Sequence, residues 1–421
     1  DILKEGGSPV DAAIAALLCT SVINPQSMGL GGGVIFTIYN ASTGLELGLS
    51  TCLWHNNGEV LHRSYFFFVG AQWIGVPGEL RGYEVAHQRH GRLPWKSLFQ
   101  PTIKLVTEGV KLSSITSRFL KNTDIKSLIS KNSVCKLLCK GQDLVTEGQS
   151  LNFTQLAHTL RVVSEKGADA FYQGPIAEQM LEDLKSQGSN LTQDDLTNYK
   201  VLIGRALNVS LANHTLYSAQ PPAGGALLSF ILKVLEGYNF SESSIQDKRA
   251  QIETYHRIAE AMKFANGQKI KMADFGMKRM EELKETVLSE TFAQQIRERI
   301  NDYGNHSLSY YSLNGPHSES FGTSHISVIS QDGSAVSATS SINQIFGSMV
   351  YSPQTGIVFN NQLADFCSGE KVIITAIAMM IFLYLGERPP SSMAPSILLS
   401  DDKKSQLVIG ASGGSYIISS T

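Results

Sequence analysis

Residues 322–343, GTSHISVISQDGSAVSATSSIN, constrain the fold more than any other stretch. His325, Ser327 and Ile329 alternate with Ser324, Ile326, Val328 and Ser330, and a second alternation of small residues runs from Ala335 to Ile342. A period of two on both sides of Asp332-Gly333 predicts a β-hairpin closed by a tight primed turn, in which Asp-Gly supplies the positive φ angles. The preceding residues 301–321 are rich in Ser, Asn and Gly and show no apolar period, so they read as an exposed loop. A hydroxyl residue, Thr323, thus opens a strand directly after Gly322 and a flexible linker, a pattern that fits a chain cut at that bond. Cutting would free an α-amine with an unperturbed pKa of roughly 8, suited to act as general base for the hydroxyl of its own residue. An ordinary hairpin that contains a threonine is the competing reading.

Charge and cysteine usage narrow the class. Lys and Arg number 35 against 37 Asp and Glu in 421 residues, with no basic cluster interleaved with aromatics, which argues against nucleic acid and for a small substrate. Hydrophobic residues make up 42% of the chain, ample for a large core. Five cysteines are too few for a disulfide scaffold, although Cys135 and Cys139 sit at i, i+4, where a local bridge is sterically demanding but feasible. Asn-x-Ser/Thr triplets at Asn40, Asn152, Asn190, Asn208, Asn213, Asn239 and Asn305 point to a secreted, glycosylated protein. The most apolar run, residues 372–385, is shorter than the roughly 20 residues a membrane-spanning helix needs, and reads as a buried strand or helix.

Taken in order, Ser8 and Pro9 mark the N-cap and first position of a buried helix to about Val22, followed by the glycine run GLGGG and a strand over 34–39. A dinucleotide site needs strand, glycines and then helix; here the order is reversed, which excludes that cofactor. Residues 75–90 read as a turn and a helix, and 93–110 as helical segments broken at Pro101. His87 and His90 lie one helical turn apart without a third ligand, so no metal site is assigned. Further helices are expected over 154–166, 175–187, 226–235 and 252–266. After the hairpin, GIVFNN leads to Asp365, Ser391-Ser392 precede Pro395, and a strand over 407–409 ends in Gly413-Gly414, which can offer two backbone N–H groups to an oxyanion or form a plain turn. Helix signals before Thr323 and strand signals after it predict a layered α/β body.

These residues together resemble the gamma-glutamyltransferases, or glutathione hydrolases, of the N-terminal-nucleophile hydrolase class. The matching strings are GGSPVDAAIAALLC, GLGGG before a strand, VPGELRGYEVAHQRHGRLPW, PPAGGALLSFIL, YHRIAEAMKFA, GTSHISV with DGSAVSATSSIN, GIVFNN, PSSM and IGASGG. GAQWIGVPGELRGY and MVYSPQTGI look most like the leukotriene-cleaving branch. The resemblance implies a four-layer αββα sandwich, a large-subunit region of residues 1–322 and a small-subunit region of residues 323–421, intertwined in one unit. It implies autocleavage between Gly322 and Thr323, attack by Thr323 on a γ-glutamyl carbonyl, and transfer of the acyl group to water, an amino acid or a dipeptide. Ser341 falls on the supporting hydroxyl, usually Thr. Asn343, Gln362 and Asp365 fall on substrate contacts, Asp365 toward the α-amino group, and Ser391 and Ser392 on the α-carboxylate; Gly413 and Gly414 fall on the oxyanion hole. No cofactor is implied. An anchor upstream of residue 1 would hold such a protein at the extracellular face of the plasma membrane.

Departures from the family pattern fall in defined places. An Arg that clamps the α-carboxylate is expected near residues 50–56, which read STCLWHN, and Arg63 in HRSYFFF is a poor substitute. Charge-assisted hydrogen bonds of this kind contribute roughly 1.5–3 kcal/mol each, so weak donor binding is expected. Gln362 stands where an acidic residue is usual, and an apolar run over 370–385 replaces a polar loop. The chain ends at Thr421, where the family continues, and Cys19 lacks the disulfide partner that the family places upstream. The sandwich is therefore expected to be incomplete at both ends, and a relative that binds without turnover is the alternative function.

Overall fold

A computed structural model describes residues 1–51, 68–272, 277–313, 322–367 and 388–421. The unmatched stretch that contains Arg63, most of residues 50–56 and the apolar run over 370–385 lie outside the described residues.

Helix α1 (Pro9–Ile23) begins where expected because Ser8 and Asp11 form a reciprocal capping box, with Pro9 in the first turn. Strands β1 (Gly33–Asn40) and β2 (Leu45–Ser50) follow. Two helices come next, α2 (Glu79–His90) and α3 (Trp95–Glu108). Helix α3 runs through Pro101 rather than breaking there. An interior proline costs about 3 kcal/mol. Burial of Leu98, Phe99, Ile103 and Val106 outweighs that cost, at about 1.5–3 kcal/mol for each such side chain. Helix α4 (Thr154–Lys166) occupies the predicted residues.

Three strands lie in residues 202–218, to which the sequence pattern assigns no element: β3 (Leu202–Arg205), β4 (Leu207–Leu211) and β5 (His214–Ser218). They are short, and their Asn, Ser, His and Gly content masks the alternation. Helices α5 (Gly225–Glu236), α6 (Lys248–Met272) and α7 (Glu290–Arg299) follow. Helix α6 continues well past the predicted end at residue 266. The hairpin is β6 (Gly322–Ile329) and β7 (Ala335–Asn343), and β8 (Ser396–Ser400) pairs with β9 (Gln406–Ile409).

Two antiparallel sheets stack face to face. The first has the order β6-β7-β1-β2-β3 and the second β9-β8-β5-β4, so strands from both sides of Gly322 contribute to each. Strand β1 is apolar on both faces because both are covered. Val34, Phe36 and Ile38 join the core under α1 to α4, whereas Tyr39 meets Ala335, Ile397 and Leu399 between the sheets. Thr37 donates its hydroxyl to Pro395 O at 2.7 Å across the same gap. On the outer side of the second sheet, Leu207 and Val209 pack with α5, α6 and α7. The result is an αββα sandwich.

The hairpin turn differs from expectation. Residues 330–334 form a five-residue loop in which Gly333 N–H donates to Ser330 O and only Gly333 of the Asp-Gly pair has positive φ, 82°. Asp332 instead caps the loop by accepting from Ser334 N–H at 3.0 Å and from the Ser330 hydroxyl. Within the expected exposed linker, Tyr311 is 1% exposed and donates to Glu260; residues 314–321 lie outside the described residues.

Candidate active site

The strand pairing loses its regular register at one peptide, Gly322-Thr323. Thr323 pairs with Ser341 and Gly322 with Asn343, so Ile342 is skipped. Ile342 N–H is satisfied instead by Ser27 O at 3.2 Å, and Asn343 adopts φ 75°. This irregularity brings three groups together. Ser341 Oγ donates to Gly322 O at 2.7 Å, accepts from Asn343 N–H at 2.9 Å and lies 3.1 Å from Thr323 Oγ1. A serine hydroxyl has one proton. With that proton on Gly322 O, the Thr323 hydroxyl is the donor to Ser341, which makes a relay from Thr323 through Ser341 to the Gly322 carbonyl.

Thr323 and Ser341 open into a cavity of about 520 Å³ at the end of the two sheets. Asn343, Gln362, Asp365, Ser391, Ser392 and Gly414 line it too. The loop that carries Asp365 is braced by Asn360 and Asn361, both fully buried. Asn360 Nδ2 donates to Gly31 O and Gly75 O, and Asn361 Nδ2 to Phe68 O and Gln344 Oε1. This explains GIVFNN as support for the site. Asp365 accepts from Asn343 Nδ2 at 3.0 Å and from Gln362 Nε2 at 2.8 Å. Gln362 therefore holds Asp365 rather than adding a second negative charge. Burial pushes the Asp365 carboxyl up to about 6, against the Lys269 charge and its two amide donors, which favour the ion.

Lys269, in the last turn of α6, lies beyond the expected end of that helix at residue 266, six residues short of Met272, and so is not a candidate on sequence grounds. Its Nζ donates to Ser392 Oγ at 2.5 Å inside the cavity, and burial lowers its pKa while Asp365 opposes that shift. Ser391 N–H is fixed by Pro222 O at 2.9 Å, which ties the serine pair to the PPAGG turn. On β6, His325 shares the face of Thr323. It contacts Thr339 Oγ1 at 2.8 Å and Ser327 Oγ at 2.9 Å, and burial lowers its pKa to about 4, so it is a neutral brace for the hairpin.

The other predicted residues are placed less tightly. Gly413 and Gly414 form a left-handed turn with φ 117° and 61°, but only Gly414 reaches the cavity wall. His87 Nε2 contacts Leu93 O, and no group of three or more His, Cys, Asp or Glu among the described residues could hold a metal. Cys135 and Cys139 are bridged, with Cα atoms 5.0 Å apart, while Cys19 is free and lies 3.1 Å from Thr102 Oγ1. Asn152, Asn190, Asn208, Asn213, Asn239 and Asn305 are exposed and Asn40 is half-buried. No helix among the described residues is long and apolar enough to cross a membrane.

Comparison with known proteins identifies the family and the fold. Residues 1–421 match the family model described as Gamma-glutamyltranspeptidase. The chain is 47% identical over 425 residues to Glutathione hydrolase 5 proenzyme of Rattus norvegicus, covering 99% of this chain and 74% of that protein. Among solved structures, the cephalosporin acylase from Bacillus halodurans superposes with a TM-score of 0.81 at 21% identity, over 99% of this chain and 75% of that one, a likeness of fold. The gamma-glutamyltranspeptidase of Helicobacter pylori gives 0.62 at 27% identity, over 73% of this chain and 89% of that one. The family-model match over residues 1–421 and the 47% identity over 99% of the chain, with the αββα sandwich, place this chain in the gamma-glutamyltranspeptidase family of enzymes.

Proposed function

We propose that the chain is a γ-glutamyl hydrolase and transferase that acts on glutathione and on S-conjugates such as leukotriene C4, after cutting itself between Gly322 and Thr323. The observation that carries this reading is the Thr323–Ser341–Gly322 contact set at the mouth of a cavity equipped for a zwitterion.

In the uncut chain, Thr323 Oγ1 attacks the Gly322 carbonyl carbon. Its proton passes to Ser341 as the Ser341 proton moves to the carbonyl oxygen. Collapse breaks the C–N bond, the Thr323 nitrogen takes up a proton, and water hydrolyses the resulting ester to leave a free α-amine. The same hydroxyl then attacks a γ-glutamyl carbonyl while the Thr323 amine takes its proton and returns it to the leaving amine. Gly414 offers its N–H to the oxyanion, Asn343 and Asp365 receive the substrate's ammonium, and Ser391 and Ser392 its carboxylate. Water, an amino acid or a dipeptide then accepts the acyl group. Residues 1–322 and 323–421 remain associated because both sheets contain strands from each.

Phe68, Met262, Leu313 and Met393 line the cavity and suit an apolar conjugate. The exposed Asn-x-Ser/Thr acceptors support a glycosylated protein at the extracellular face of the plasma membrane. The competing reading, binding without turnover, is favoured by the absence of an Arg in residues 50–56. Release of a chromogenic γ-glutamyl anilide separates the two: turnover that disappears in Thr323→Ala supports the enzyme, and no release by the unaltered chain supports the binder.

A further inference from the structure

We infer that Lys269 is the cation that receives the α-carboxylate of the γ-glutamyl donor, so that the cavity reads its ligand as a zwitterion between Lys269 and Asp365. This rests on the γ-glutamyl reading given above.

Residues 50–56 offer no Arg, and two serine hydroxyls alone supply no positive charge. Among the described residues, two lysines line the cavity, Lys263 and Lys269. Lys263 is already neutralised, with its Nζ 2.8 Å from Glu260 Oε1 and 2.8 Å from Asn305 Oδ1. Lys269 Nζ instead meets the hydroxyl of Ser392, one of the two serines assigned to the carboxylate. An ammonium has three donors, so this contact leaves Lys269 able to bond an incoming oxygen while it orients Ser392.

The electrostatics point the same way. Burial disfavours the charged form of both Lys269 and Asp365, although each charge favours the other across the cavity. An α-amino acid ligand supplies the missing partner to each: its carboxylate to Lys269 and its ammonium to Asp365. A purely structural Lys269 would stabilise the fold without discriminating between ligands.

The test is calorimetric binding of L-glutamate, its α-carboxamide isoglutamine, and 4-aminobutyrate, which lacks the α-carboxylate, to the full chain. The unaltered chain is expected to prefer L-glutamate over both analogues by about tenfold or more, the worth of one charge-assisted contact. In Lys269→Gln the preference collapses toward unity through weaker glutamate binding, and Lys269→Arg restores it. An unaltered chain without the preference, or a Lys269→Gln chain that keeps it, overturns the inference. Where Lys269→Gln fails to fold, Lys269→Met, of similar length and without charge, makes the same comparison. Anilide turnover is read separately: its absence alongside an intact, Lys269-dependent preference defeats the enzyme reading and leaves Lys269 in its role.

Discussion

Ser341 Oγ bonds to the carbonyl oxygen of Gly322 at 2.7 Å and lies 3.1 Å from Thr323 Oγ1, so one hydroxyl touches both the bond to be cut and the group that cuts it. Removing it in Ser341→Ala should slow self-cleavage and γ-glutamyl turnover together. The expected loss is about 10²-fold in rate, comparable with removal of one preorganised donor at a developing oxyanion. Ser341→Thr should retain both activities. Time courses on denaturing gels and anilide release check this; Ser341→Ala with normal cleavage would remove Ser341 from the relay.

Asp365 predicts a pH limb for donor use. Its carboxyl is raised to about 6, chiefly by burial, and only the ion binds an ammonium. The kcat/KM for a γ-glutamyl anilide should therefore fall as pH drops through about 6. Asp365→Asn should remove that limb and lower kcat/KM at neutral pH by about 10- to 100-fold, the loss of one charge-assisted contact. A wild-type profile flat from pH 5 to 7 would contradict it.

Glu79 predicts a separate pH effect on stability. It is fully buried at the start of α2, accepts from the Tyr83 hydroxyl, and burial raises its carboxyl to about 8. Between the unfolded and folded pKa values the native state holds a proton that the unfolded chain has lost, so stability falls as pH rises. The slope for one proton is at most about 1.4 kcal/mol per pH unit. Denaturant titrations from pH 6 to 8 should show this decline and its loss in Glu79→Gln; Asp365, raised to about 6, adds its own decline only at the acid edge of that window.

Much of the fold is legible in local pattern. The capping box and Pro9 announce α1, and strict alternation announces β6 and β7. The strands β3 to β5 were hidden because exposed positions such as Asn208 and Ser210 break their apolar run, and tertiary pairing decides their state. Pro101 misled because its cost is local while the packing that outweighs it comes from other elements. In the site, Thr323, Ser341 and Asp365 carry recognisable strings. Lys269 does not: it reaches Ser392 across 123 residues of sequence, a relation that only the packing of α6 against the serine loop creates. The relay through Gly322 O was equally invisible, since it depends on the skipped Ile342.

Mass spectrometry with N-terminal sequencing of the purified protein after prolonged incubation bears most directly on Thr323. The expected result is two polypeptides, the smaller one beginning at Thr323, and a single uncut chain in Thr323→Ala. A persistent single chain from the unaltered sequence, or a new N-terminus at any residue other than Thr323, would contradict Thr323 as an N-terminal nucleophile.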